Sequence, residues 1–121
     1  MTERFTALNP EKQMRIINAA YKEFARHGYK KASTNRIVES AGIGKGMLFY
    51  YFGSKLELYN FLLEYAVSFF NQYFGKLRAK PANSDFFEQY KIAGKIKLKA
   101  YAANPYIFEF YTKIFYNPED L

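Results

Sequence analysis

The run STNRIVESAGIGKGMLFYYFGSK, residues 33–55, leaves this chain little freedom in what it folds into. Ser33 is placed to cap a short helix, because its hydroxyl can accept a free backbone N–H of the opening turn. Ile37, Val38 and Ala41 then share one apolar face at helical spacing. Gly42 stops that helix, since the residue closing a helix often needs a positive φ that glycine adopts without steric cost. Ile43 returns to the interior. A second short helix is expected from about Gly44 to Tyr51, with Leu48 and Phe52 turned inward. Ser54 caps a third, longer helix, and Lys55 stands in its first turn.

Two helices joined by a tight glycine turn form a helix-turn-helix, whose second helix enters the DNA major groove. The outward face here carries Lys45, Gly46, Met47, Phe49, Tyr50 and Tyr51. It is more aromatic than an ordinary solvated surface. Spacing alone leaves two readings open: a groove-reading helix, or a core helix of a small bundle with its tyrosines half buried.

Charge bears on that choice. Residues 1–55 hold 10 Lys/Arg and 4 Asp/Glu, a net of +6, whereas residues 56–121 hold 8 and 7, a net of +1. Nearly all of the chain's +7 therefore lies with the helix-turn-helix, as a phosphate-binding module requires. The 121 residues, half of them hydrophobic, are enough for one domain with a real core or somewhat more. There is no cysteine, so no disulfide framework or thiolate metal site. The N-terminus has no signal-type apolar region, and no run of about 18 apolar residues could span a membrane. A soluble cytoplasmic protein is the expectation.

The rest reads as helices. Asn9 caps and Pro10 opens a helix whose inner face holds Met14, Ile17, Tyr21 and Phe24, ending at Arg26, His27 and Gly28. From Lys55 to about Lys80 one long helix is apolar nearly all round, so it must pack on more than one side. Pro81 to Ser84 is expected to turn. A further helix then runs to about Ala103, with Lys91, Lys95 and Lys99 as a solvated stripe. Asn104 and Pro105 start a last helix carrying Ile107, Phe108, Phe110, Tyr111, Ile114 and Phe115, which ends near Asn117.

The central run resembles the DNA-binding signature of TetR-type transcriptional regulators. That pattern has a Gly-Tyr closing the first helix and a Thr opening the second. Then come Ile-Ala-x-x-Ala-Gly-Val and Ser-x-Gly-Thr-Leu-Tyr-x-His-Phe-x-Ser-Lys-Glu-x-Leu. This chain supplies Gly28-Tyr29, Thr34, Ile37-Val38, Ala41-Gly42-Ile43, Gly46, Leu48, Phe52, Ser54-Lys55 and Leu58 without a gap. The resemblance is sharp over residues 10–66 and architectural beyond. It implies an all-α fold: a helix-turn-helix head over 8–55, followed by part of a helical regulatory domain over 56–121. Regulators of this family usually continue for several more helices, the last two forming the dimer interface. A piece of a longer protein, or a short member, is therefore expected.

The resemblance implies DNA-binding roles for Thr34, Asn35, Arg36, Lys45, Gly46, Met47, Phe49, Tyr50, Tyr51 and Lys55. Thr34 sits where a helix N-terminus and a hydroxyl favour a phosphate. Asn35 and Arg36 suit adenine, guanine or phosphate, and Lys45 suits guanine or phosphate. Gly46 lets the helix backbone approach DNA closely, and Met47 offers contact with a thymine methyl. Tyr50, Tyr51 and Lys55 suit phosphates. Gly44, Met47, Phe49 and Tyr51 depart from the family pattern, which leaves the base preference open.

The family's regulatory body holds a small-molecule pocket, here expected at Phe61, Tyr65, Phe69, Tyr90, Phe108 and Tyr111. A hydrophobic or aromatic effector would suit those rings. The partners implied are double-stranded DNA, that effector and a second copy of the chain. The chain would act as a repressor at a palindromic operator. The rival is a helical interaction module that binds a protein partner or a membrane surface through its aromatic faces. An enzyme, a metal centre and a cofactor are not expected: His27 stands alone, and there is no Gly-rich loop after a strand and no carboxylate cluster at ligand spacing.

Overall fold

The protein is described by a computed structural model over residues 3–78, 91, 94–95, 98–99, 101–102 and 104–116. Among the described residues these helices follow in order: α1 Glu3–Thr6, α2 Pro10–Lys31, α3 Thr34–Ala41, α4 Met47–Phe52, α5 Lys55–Arg78 and α6 Pro105–Tyr116. Residues 91, 94–95, 98–99 and 101–102 are helical as well, and Lys91, Lys95 and Lys99 are solvent-exposed there. The expected turn at Pro81–Ser84, and Tyr90 of the expected pocket, lie outside the described residues.

α2 is the central prop. The Asn9 side chain accepts the Lys12 backbone N–H at 2.8 Å, and Pro10 takes the first position. Its inner stripe buries Ile16, Ile17, Ala20, Tyr21, Phe24 and Ala25. Gly28 (φ 74, ψ 170) kinks the helix where the sequence suggested an end, and one further turn follows.

Three layers meet on that stripe. α6 and α3 pack most extensively on α2, α5 less so, and α4 is held by α1, α3 and α5. Tyr21 ties them together. Its ring meets Phe110 of α6 at 5.0 Å, and its hydroxyl donates to the Leu62 carbonyl of α5 at 2.5 Å. Phe24, Tyr29, Tyr59 and Phe110 extend the cluster through edge-to-face and stacked pairs. Each large ring fully buried is worth roughly 1.5–3 kcal/mol in transfer free energy, so aromatics account for much of this small core.

α1 was not legible in the sequence. Phe5 is fully buried, against Phe52 at 5.0 Å and Phe61 at 5.3 Å. Gln13 holds the end of α1 to α2 by donating to the Thr6 and Leu8 carbonyls at 3.1 and 2.7 Å. At the other end of the chain, Lys113 of α6 donates to the Arg26 carbonyl just before the kink, at 3.4 Å. Tyr106 of α6 lies under the Lys22 and Arg26 side chains at 5.7 and 5.6 Å. No described helix is long and apolar enough to cross a membrane.

Candidate nucleic-acid interface

α3 starts as its sequence dictates. The Ser33 hydroxyl accepts the Arg36 N–H at 3.2 Å. At its other end Gly42 is left-handed (φ 69, ψ 36); its N–H reaches the Glu39 carbonyl, and the Ile43 N–H reaches that of Val38. A buried carboxylate fixes α3 to α2. Glu23 accepts the Ser33 N–H at 2.9 Å, and Arg36 Nε and Nη2 at 2.9 and 2.7 Å. Burial pushes the Glu23 carboxyl up, but hydrogen bonds from Arg36 and Ser33 and the nearby His27 and Arg36 charges outweigh it, leaving it below its ordinary value. Arg36, expected to reach DNA, thus has a structural partner, and also donates to the Lys31 carbonyl. Thr34 is half-buried and Asn35 exposed at the open end of α3.

The second helix begins later than expected. The sequence places its start near Gly44, but residues 44–47 form a turn closed by the Met47 N–H on the Gly44 carbonyl at 3.1 Å. Gly46 is the residue before α4, with φ 87, and right-handed helix cannot include that conformation. An added Cβ there would meet nothing within 4 Å, so what demands glycine at this position is the backbone angle, not crowding. Lys45 and Gly46 are therefore exposed at the tip of the turn rather than on the helix.

On α4 itself, Phe49 and Tyr50 are 48% and 52% exposed, while Leu48 and Phe52 face inward as expected. Tyr51 corrects the sequence reading. Placed there on the outward face, it is only 3% exposed and packs against Phe5 at 6.3 Å. The missed helix α1 covers it. Met47 is half-buried against the core. Lys55 donates to the Lys30 carbonyl at 3.3 Å and sits 4.7 Å over the Tyr29 ring, pinning the start of α5 to the end of α2. The exposed face that remains is Asn35, Lys45, Gly46, Phe49 and Tyr50.

The expected pocket residues other than Tyr90 lie on α5 and α6. Phe61 and Tyr65 pack around Phe5 and Tyr21, and Phe69 and Phe108 meet each other at 6.0 Å. Tyr111 lines a groove of about 320 Å³ between α5 and α6, with Leu63, Ala66, Val67, Phe70, Phe110 and Ile114. Sequence reasoning also missed Arg4, whose guanidinium lies 4.3 Å over the Tyr50 ring. Glu23 was missed although it falls at i+3 from Ala20 on the apolar stripe, which marks a carboxylate that has to find partners. Among the described residues no group of three His, Cys, Asp or Glu side chains is placed to hold a metal.

A capped helix, a glycine turn and a short exposed helix on an aromatic core define the helix-turn-helix class of protein. Residues 16–61 match the bacterial regulatory proteins of the tetR family. An HTH-type transcriptional regulator of Staphylococcus aureus strain USA300 is 28% identical over 114 residues, covering 88% of this chain and 62% of that protein. One from the bovine strain RF122 is 28% identical over 131 residues, covering 92% and 71%. The crystal structure of a TetR family transcriptional regulator from Chloroflexus aurantiacus superposes with a TM-score of 0.67 at 32% identity, over 95% of this chain and 52% of that one. The chain carries a tetR-family DNA-binding region and is similar to TetR-type regulators over nearly all of its length. It spans between 52% and 71% of the length of these relatives.

Proposed function

We propose that this chain is the DNA-binding part of a ligand-responsive transcriptional regulator, acting as a repressor on a palindromic operator. The observation that carries the reading is the exposed set Asn35, Lys45, Phe49 and Tyr50, held on α3, the turn and α4 by a fully packed support. A second copy of the chain would place two such faces on half-sites about one helical turn apart, or a multiple of it. Thr34, Asn35 and Lys45 are assigned to phosphates and base edges, Tyr50 to a phosphate, and Met47 to packing beneath the turn. Tyr51 and Lys55 are assigned to holding the face in place.

The α5–α6 groove is our candidate effector site, for a small apolar or aromatic molecule. Its size falls within the usual range for ligand pockets, about 300–1,000 Å³. Movement of α6 would act on the head through Phe110 against Tyr21 and through Lys113 on the Arg26 carbonyl.

The test is binding to random-sequence duplex DNA across a salt series, with Lys45→Ala and Asn35→Ala beside the parent chain. Affinity that falls steeply with salt, less steeply in Lys45→Ala, is expected, because each phosphate contact releases counterions. Binding that ignores salt would sink the reading and favour a module that meets a protein partner through its aromatic faces.

A further inference from the structure

We propose that Arg4 of α1 is a DNA-contacting residue that carries a strand phosphate beside α4; this rests on the DNA-binding reading above. Four observations converge on it. Arg4 is exposed while its neighbour Phe5 is fully buried against Phe52 and Phe61, so the side chain leaves a fixed point. Gln13 fastens the far end of α1 to α2, which makes the short helix a rigid arm rather than a tail. The guanidinium lies 4.3 Å over the ring of Tyr50, the most exposed aromatic of α4. Finally, Arg4 Nη1 donates to the Tyr50 carbonyl at 3.4 Å.

A guanidinium has five N–H donors in one plane, and this contact uses one of them. Stacking on Tyr50 sets the plane in advance, so less rotamer freedom is lost when a phosphate is engaged. The cleft between α1 and α4, about 420 Å³, is lined by Glu3, Arg4, Phe49, Tyr50 and Gly53. Glu3 sets one negative charge against Arg4 there, but residues 1–55 as a whole carry +6, so the field still draws a polyanion. A phosphate flanking the groove entered by α4 would meet Arg4 and the Tyr50 hydroxyl together. The bland alternative is that Arg4 only props the end of α4, where its charge favours the helix dipole.

Salt dependence separates the two, because a prop releases no counterions. The experiment measures non-specific duplex binding of the 121-residue chain, Arg4→Ala and Arg4→Lys from low to moderate salt, with thermal melts of each. Arg4→Ala is expected to bind about fivefold more weakly at low salt and to lower the slope of log affinity against log salt by about 1. Arg4→Lys keeps the charge and is expected to keep the slope while losing part of the affinity. A parent chain with a steep slope that Arg4→Ala leaves unchanged would overturn the assignment of Arg4 alone. A slope reduced equally in Arg4→Lys would overturn it too, since the cause would then be packing. A parent chain with no salt-sensitive binding would remove the DNA reading and this one with it.

Discussion

Glu23 shows how one residue sets the geometry of the head. Its carboxylate is buried and accepts from both the first N–H before α3 and the Arg36 side chain. Its folded pKa lies below the ordinary 4.5. A carboxyl with a depressed folded pKa adds stability that is present above 4.5 and is lost as pH falls through the lower folded value. Glu23→Gln is therefore expected to melt a few degrees below the parent at pH 7, with the gap closing as both are taken below pH 4.5. Melting curves of the pair at pH 7, 5, 4 and 3 check this. A gap that stays constant with pH would assign Glu23 a packing role only.

At the scale of elements, α4 is defined by where it is prevented from starting. Gly46 at φ 87 ends the turn, and the helix begins one residue later. Gly46→Ala forces an L side chain into that conformation and is expected to cost about 1–2 kcal/mol. Urea unfolding measures it; an unchanged midpoint would mean that the turn relaxes into a longer helix. The existence of the longer helices, the caps at Asn9, Ser33 and Ser54, and the inner stripes of α2 and α3 were legible because cap chemistry and helical period are local. The late start of α4 was not, because a glycine two residues after another reads equally well as a helix cap or a turn. The burial of Tyr51 was not legible either. It depends on Phe5, 46 positions away, inside a helix of four residues whose sequence carries no period. Aromatic residues on facing helices also pack with each other, as Phe69 and Phe108 do.

At the scale of the whole molecule, the core ignores the division at residue 55. Phe5, Tyr21, Leu62, Ile107 and Phe110 belong to one buried cluster. A chain cut after Arg78 would leave Tyr21 and Tyr59 without their ring partner Phe110 of α6. It is expected to unfold at lower urea with a broadened transition and to bind a hydrophobic dye. A sharp transition at the parent's midpoint would show the first 78 residues to be self-sufficient. The clasp between Lys113 and Arg26 also has a meaning for synthesis. The two residues are 87 positions apart, and a ribosome adds about 5–20 residues per second, so α2 leaves the tunnel roughly 4–17 s before its cover. Hydrophobic collapse takes microseconds by comparison. For those seconds the part of the α2 face that Phe110 covers stays open, and α6 closes it only after the rest of the head has had time to form.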